Sequence, residues 1–257
     1  MPYLTKVQIE EIATRVVKAY LHLPCHEGSP VRKIDPATLA QELLGLTVLY
    51  RRLATKDNIL GLTSSGEVEI GVIGDDGKFE YQWIDGKTIV VNSLMLEEGV
   101  VVGHLNFTLM HETCHQIFKM LFPKAYAAEA SQGTIHYCRR RPRRTHGDWE
   151  EWRTDTLTAA ILMPAELVMR YMQEYGFGNR IKMLNRVYAK PEYELFSDMA
   201  DALGVSKTAL AIRLKELMLI ERDYFDDPFR LVNVEVDDDW LKEEEDYAKM
   251  RCKNYKS

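Results

Sequence analysis

Apolar residues first recur at helical spacing between residues 6 and 21, where Ile9, Ile12, Ala13, Val16, Val17 and Tyr20 share a face behind Thr5, a candidate N-cap. This predicts an amphipathic helix, broken by the CHEGSP segment that ends at Pro30. Asp35 then caps a short helix with Pro36 in its first position and Leu39, Leu43 and Leu44 on one side. From Leu46 to Leu53 the chain is apolar and β-prone. Turn signals at Gly66, Asp76-Gly77 and Asp85-Gly86 separate Val68–Ile73, Lys78–Ile84 and Thr88–Asn92, a pattern that predicts an antiparallel meander.

Helical spacing returns from about His104 to Leu121, ahead of Pro123. Phe122 to Asp148 reads as irregular, and Trp149 to Met163 as a helix. Pro164 opens another, carrying Leu167, Val168, Tyr171 and Met172 and ending near Gly176. Met163, Met169 and Met172 read as core. Shorter helices are predicted at Tyr193–Leu203 and Ser206–Leu219. The acidic stretch after Glu221, with DDDW and EEED, is expected to be partly disordered.

Composition narrows the classes. At 257 residues and 46% apolar content the chain can bury a core without disulfide or metal staples. A net charge of −6 argues against a surface that grips nucleic acid or anionic lipid as a whole. No run approaches the roughly 18 apolar residues of a membrane span, and residues 1–17 lack a basic segment followed by an apolar one. Cys25, Cys114, Cys138 and Cys252 are scattered with no CxxC pair, which fits a reducing cytoplasm.

The chemistry-bearing segment is His111-Glu112-Thr113-Cys114-His115, an HExxH motif inside a predicted helix. At about 100° per residue, positions i and i+4 differ by roughly 40°, so both imidazoles leave one face and can hold one Zn²⁺. Glu112 lies one step round, placed to take a proton from the attacking water without being a ligand. A catalytic zinc needs a third protein ligand and an open position. Glu151 on the following helix can supply the ligand, and Asp155, one turn on, can accept the free N–H of a zinc-bound histidine. Glu150 is the rival ligand; Glu151 is preferred because Asp155 then falls at i+4. Cys114 can approach the metal or pack as a small hydrophobe, and packing is favoured. His104, His136 and His146 are candidate oxyanion donors, and the sequence does not choose among them.

With Asn106-Phe107-Thr108-Leu109-Met110 ahead of HExxH, and Glu151-Trp152-Arg153-Thr154-Asp155 running into Leu157-Thr158-Ala159-Ala160-Ile161-Leu162-Met163-Pro164, the chain resembles the ImmA/IrrE family of metallo-endopeptidases over about Ile9 to Ile220. The resemblance implies a zincin-like fold with His111, His115 and Glu151 as zinc ligands and Glu112 as general base. It further implies cleavage of a specific regulatory protein, often a helix-turn-helix repressor in bacteria or their mobile elements. Thr113 and Cys114 depart from the usual HELGH, Leu157 and Thr158 from the usual Phe and Ala, and the long interval from His115 to Glu151 alters the cleft.

Residues 198–217 resemble a helix-turn-helix, with Ala200, Gly204, Val205, Leu210 and Leu214 at packing positions. Lys207, Arg213 and Lys215 are the residues a DNA-binding reading would use. Five acids against three bases between Pro191 and Ile220 disfavour direct DNA binding. The five arginines of RRRPRR, Arg139 to Arg144, are a solvated loop, a contact for an acidic partner or a nucleic-acid contact.

The expectation is therefore an α+β chain. Residues 1–188 form a zincin-like metallopeptidase domain with a small antiparallel sheet and two zinc-binding helices. Residues 189–221 form a helix-turn-helix-like extension and 222–257 an acidic tail. The expected function is a cytoplasmic zinc endopeptidase with one Zn²⁺ and a protein substrate, which an extended segment at Thr88, Val90 and Asn92 would bind along a free sheet edge. The alternative is a non-catalytic DNA- or protein-binding regulator whose metal site is structural or degenerate.

Overall fold

A computed structural model describes residues 3–28, 30–54, 59–97, 101–139 and 149–232. Its first helix, α1 (Lys6–Leu21), opens on a reciprocal cap: the Gln8 N–H donates to Thr5 Oγ1 and the Thr5 N–H to Gln8 Oε1. Ile9, Ala13, Val17 and Tyr20 form its buried stripe. The Asp35 carboxylate accepts the Thr38 N–H (2.8 Å) to start α2 (Pro36–Thr38), which continues as a π-helical turn over Leu39–Leu43.

Six strands follow: β1 (Thr47–Leu53), β2 (Ile59–Ser64), β3 (Val68–Ile73), β4 (Phe79–Ile84), β5 (Thr88–Asn92) and β6 (Ile135–Arg139). They form one sheet in the order β4-β3-β1-β5-β2-β6. The expected hairpin of β3 and β4 is present, with Val68 opposite Ile84 and Ile73 opposite Phe79. The remainder is not an antiparallel meander. β1 runs parallel to β5, Thr47 opposite Thr88 and Arg51 opposite Asn92, so the sheet is mixed. Its twofold alternation identified β3 as a strand, but which strands are neighbours depends on contacts between segments far apart in sequence. β2 and β6 were not foreseen. Every residue of β5 is buried, as expected of an apolar strand flanked on both sides.

Helix α3 (Val102–Leu121) lies against β2, β5 and β6, and α5 (Trp149–Leu162) packs against both α3 and α1. Between them, the stretch expected to be irregular contains α4 (Ala127–Gln132) as well as β6; residues 140–148, with most of the arginine run and His146, lie outside the described residues. After α5 come α6 (Ala165–Glu174), β7 (Ile181–Leu184), α7 (Lys190–Leu203), α8 (Lys207–Glu216) and β8 (Ile220–Asp223), with β7 and β8 paired in parallel. The architecture is α+β, with eight α-helices among the described residues. None of the described helices is long and apolar enough to cross a membrane. The acidic DDDW and EEED runs fall outside the described residues.

One apolar cluster joins Ile9 and Tyr20 of α1, Cys114 and Phe118 of α3, Leu157 and Ile161 of α5, Met172 of α6, Phe196 of α7 and Leu214 of α8. Met163 and Met172 are buried in it and Met169 packs against it. Between α7 and α8 the chain turns at Gly204, whose φ of +69° suits a residue without Cβ. Asn106 on α3 donates to the Gly204 carbonyl (2.8 Å) and fastens this turn to the first metal-motif helix.

Arg213, one of the residues a DNA-binding reading would use, does not lie on the surface of α8. Its side chain is wholly buried, donates through Nε to the Met163 carbonyl (3.0 Å), and pairs with Glu10 of α1. Lys215 is engaged by Asp223, and Lys207 lies over the Tyr193 ring. Leucines at the helix pair's packing positions are visible in sequence, but the long-range partner that draws Arg213 inward is not.

Candidate metal centre

Residues 108–118 of α3 are all buried, because the sheet covers one side of the helix and α5 the other. Burying two imidazoles and a carboxylate is tolerable only where their polar atoms meet partners. Here the partners are largely one another. His111 Nε2 lies 3.2 Å from His115 Nε2 and 3.2 Å from Glu151 Oε2, while His115 Nε2 lies 3.5 Å from Glu151 Oε1. Tetrahedral coordination with bonds of about 2.0–2.1 Å would separate donor atoms by about 3.3 Å. The three side chains thus stand at the mutual spacing of ligands sharing one small divalent ion, and they could hold one.

Asp155, one turn beyond Glu151 on α5, lies 3.0 Å from His111 through Oδ1 and Nδ1. A carboxylate there holds the Nδ1 proton and leaves the Nε2 lone pair facing His115 and Glu151. Burial alone would push His111 down, but hydrogen bonds to Asp155 and Glu151 outweigh it and raise its pKa to about 10. His115, with burial dominant, falls to about 4. Burial would raise Glu151, yet its hydrogen bonds to the two histidines hold it well below the usual carboxylate range.

Glu112 faces the sheet. Its Oε1 accepts the Cys138 N–H of β6 (3.1 Å), while Oε2 is buried without a hydrogen-bond partner. Burial lifts this carboxyl to about 8. Close approach of helix and sheet at this point depends on Gly61 of β2: a Cβ there would lie 2.9 Å from Thr108 Cγ2 and 3.4 Å from Glu112 Cγ. Together with the unpartnered His115 Nδ1, the orphaned Glu112 oxygen leaves unmet hydrogen-bonding capacity at the centre. Two neutral imidazoles and a carboxylate form a mixed N/O set that suits zinc among divalent ions.

Cys114 is buried in the main core, and burial pushes its thiol up to about 12. Glu150, the rival ligand, stands apart from Glu151 in a second group with His115 and His136, one donor atom of each lying within 4.8 Å of the others. Of the three candidate oxyanion donors, His136 on β6 is brought beside the centre, its ring 4.7 Å from that of His115. His104 is exposed near the start of α3. The placement of His136 was hidden because β6 was not recognised as a strand; the alternation in Ile135–Arg139 was the available signal.

Thr88, Val90 and Asn92 do not form a substrate-binding edge. β5 lies between β1 and β2, the Thr88 carbonyl accepts the Thr63 hydroxyl, and the Asn92 amide donates to the Ile59 carbonyl. The sheet's edges among the described residues are β4 and β6. Burial on both faces is what an internal strand shows, and it leaves no backbone free for an added strand. No protein-family model matches the sequence, and no curated protein matches it.

Proposed function

We propose that this chain is a zinc-dependent endopeptidase of the ImmA/IrrE type, zincin-like in fold, acting in the cytoplasm on a specific regulatory protein such as a helix-turn-helix repressor. The observation that carries the reading is the convergence of His111, His115 and Glu151, with Asp155 behind His111 and the partnerless Glu112 oxygen on the same helix. Burial of Arg213 inside the helical core weighs against the alternative of a DNA-reading α8.

His111, His115 and Glu151 would hold the ion, and Asp155 would orient His111. Zinc, when bound, supplies Lewis acidity toward the scissile carbonyl and brings the pKa of water down toward about 7. Glu112 accepts a proton from the attacking water at Oε2 while the Cys138 N–H steadies Oε1. Water oxygen bonds to the carbonyl carbon, the C–N bond breaks, and Glu112 returns the proton to the leaving nitrogen.

The test incubates the wild-type chain and Glu112→Gln with candidate repressors from the same genome and reads fragments by mass spectrometry. Wild type should cut one of them at a defined bond, and the variant should retain zinc without cutting. Cleavage by Glu112→Gln at the wild-type rate would remove Glu112 as the base.

A further inference from the structure

Beside the first donor set the same buried region offers another. One donor atom from each of His115, His136 and Glu150 lies within 4.8 Å of the others. These residues come from three elements, α3, β6 and α5, so sequence proximity does not explain their meeting. Their surroundings prepare them as ligands. Glu129 Oε2 lies 3.3 Å from His136 Nε2, and Ser65 Oγ lies 3.3 Å from the same nitrogen. Glu129 Oε2 is buried there without a hydrogen-bond partner, a further unmet acceptor beside His136. The Tyr126 hydroxyl donates to Glu150 Oε1 (3.0 Å) and fixes that carboxylate.

His115 joins the two sets. Its Nε2 faces His111 and Glu151, whereas its Nδ1 is buried with no hydrogen-bond partner. Charge agrees with a second cation: Glu129, Glu150, Glu151 and Asp155 surround this region, with Arg153 3.9 Å from Glu150. An ordinary His136–Glu129 pair accounts for that one contact, but not for the approach of His115 and Glu150.

We infer that His115, His136 and Glu150 form a second divalent-cation site contiguous with the first, with His115 bridging the two ions. The class of ligand is a borderline ion that accepts nitrogen and oxygen donors together, with zinc the representative. Bridging requires His115 to release its remaining ring proton to solvent as the second ion binds. The inference rests on the metal reading of the first set through this shared histidine.

The test uses the full chain, stripped with a chelator and dialysed against zinc chloride, with zinc per folded chain counted by mass spectrometry and folding checked by circular dichroism. Wild type should hold two ions. Glu150→Gln, which keeps an acceptor for Tyr126, and His136→Asn should each hold one. Co²⁺ in place of Zn²⁺ should give wild type a second spectral step that both variants lack. A wild-type chain saturating at one ion, or two ions retained in both variants, would overturn the second site while leaving the first standing. A wild-type chain that binds no zinc would remove both.

Discussion

His111 Nδ1 and Asp155 Oδ1 stand 3.0 Å apart across the contact between α3 and α5. This pairing couples the packing of two helices to the direction of one imidazole lone pair. Asp155→Ala should leave the fold intact and weaken zinc binding by about 10–100-fold. Calorimetric titration of the stripped chain measures this; unchanged affinity would reduce Asp155 to a helix-packing residue.

Ion binding at the first set should stabilise the fold. At a free zinc concentration about a hundredfold above Kd, the stabilisation is about 2.7 kcal/mol, or about 5–10 °C in Tm for a chain of this size. Removing metal with a chelator should lose that increment in wild type. His111→Ala and Glu151→Ala should lose the increment that the first ion contributes. Equal melting curves with and without zinc would contradict a site formed in the native state.

Arg213 connects α8 to α1 and to the end of α5 through Glu10 and the Met163 carbonyl. Arg213→Ala deletes a buried side chain and leaves the Glu10 carboxylate without that partner, so a loss of about 3–5 kcal/mol is expected in denaturant unfolding. A DNA-reading Arg213 would behave differently: the variant would keep its stability and lose salt-sensitive DNA affinity.

Asp85 accepts the Thr88 hydroxyl (2.7 Å) and the Lys87 N–H (2.9 Å) in the turn that leads into β5. These bonds hold its carboxyl below the usual range. A depressed folded pKa gives stability that is full above the unfolded value and lost as pH falls through the folded one. Asp85→Ala should cost about 1 kcal/mol at pH 7, and the difference from wild type should shrink in strong acid. A difference independent of pH would show that the carboxylate charge is irrelevant.

Cys114 and Cys25 make a contrasting pair, one in the core and one exposed. In a Cys252→Ser background, a thiol reagent should label Cys25 rapidly in the native chain and Cys114 only after unfolding. Rapid native labelling of Cys114 would mean that α3 is not packed as described.

The sequence by itself determined the local features. Thr5 and Gln8 specify their cap, Asp35 the start of a turn, and Gly204 the break between two helices, because each acts on backbone within a few residues. The i, i+4 spacing of His111 and His115, and of Glu151 and Asp155, likewise fixed which side chains share a helix face. Tertiary structure alone decided how those faces meet. It set β5 inside the sheet rather than at its edge, drew Arg213 into the core, and carried His136 to His115 on a strand that periodicity had not revealed. Helical periodicity follows from the geometry of one segment, whereas strand neighbours and buried ion pairs arise from the free energy of bringing distant segments together, which no single stretch of sequence contains.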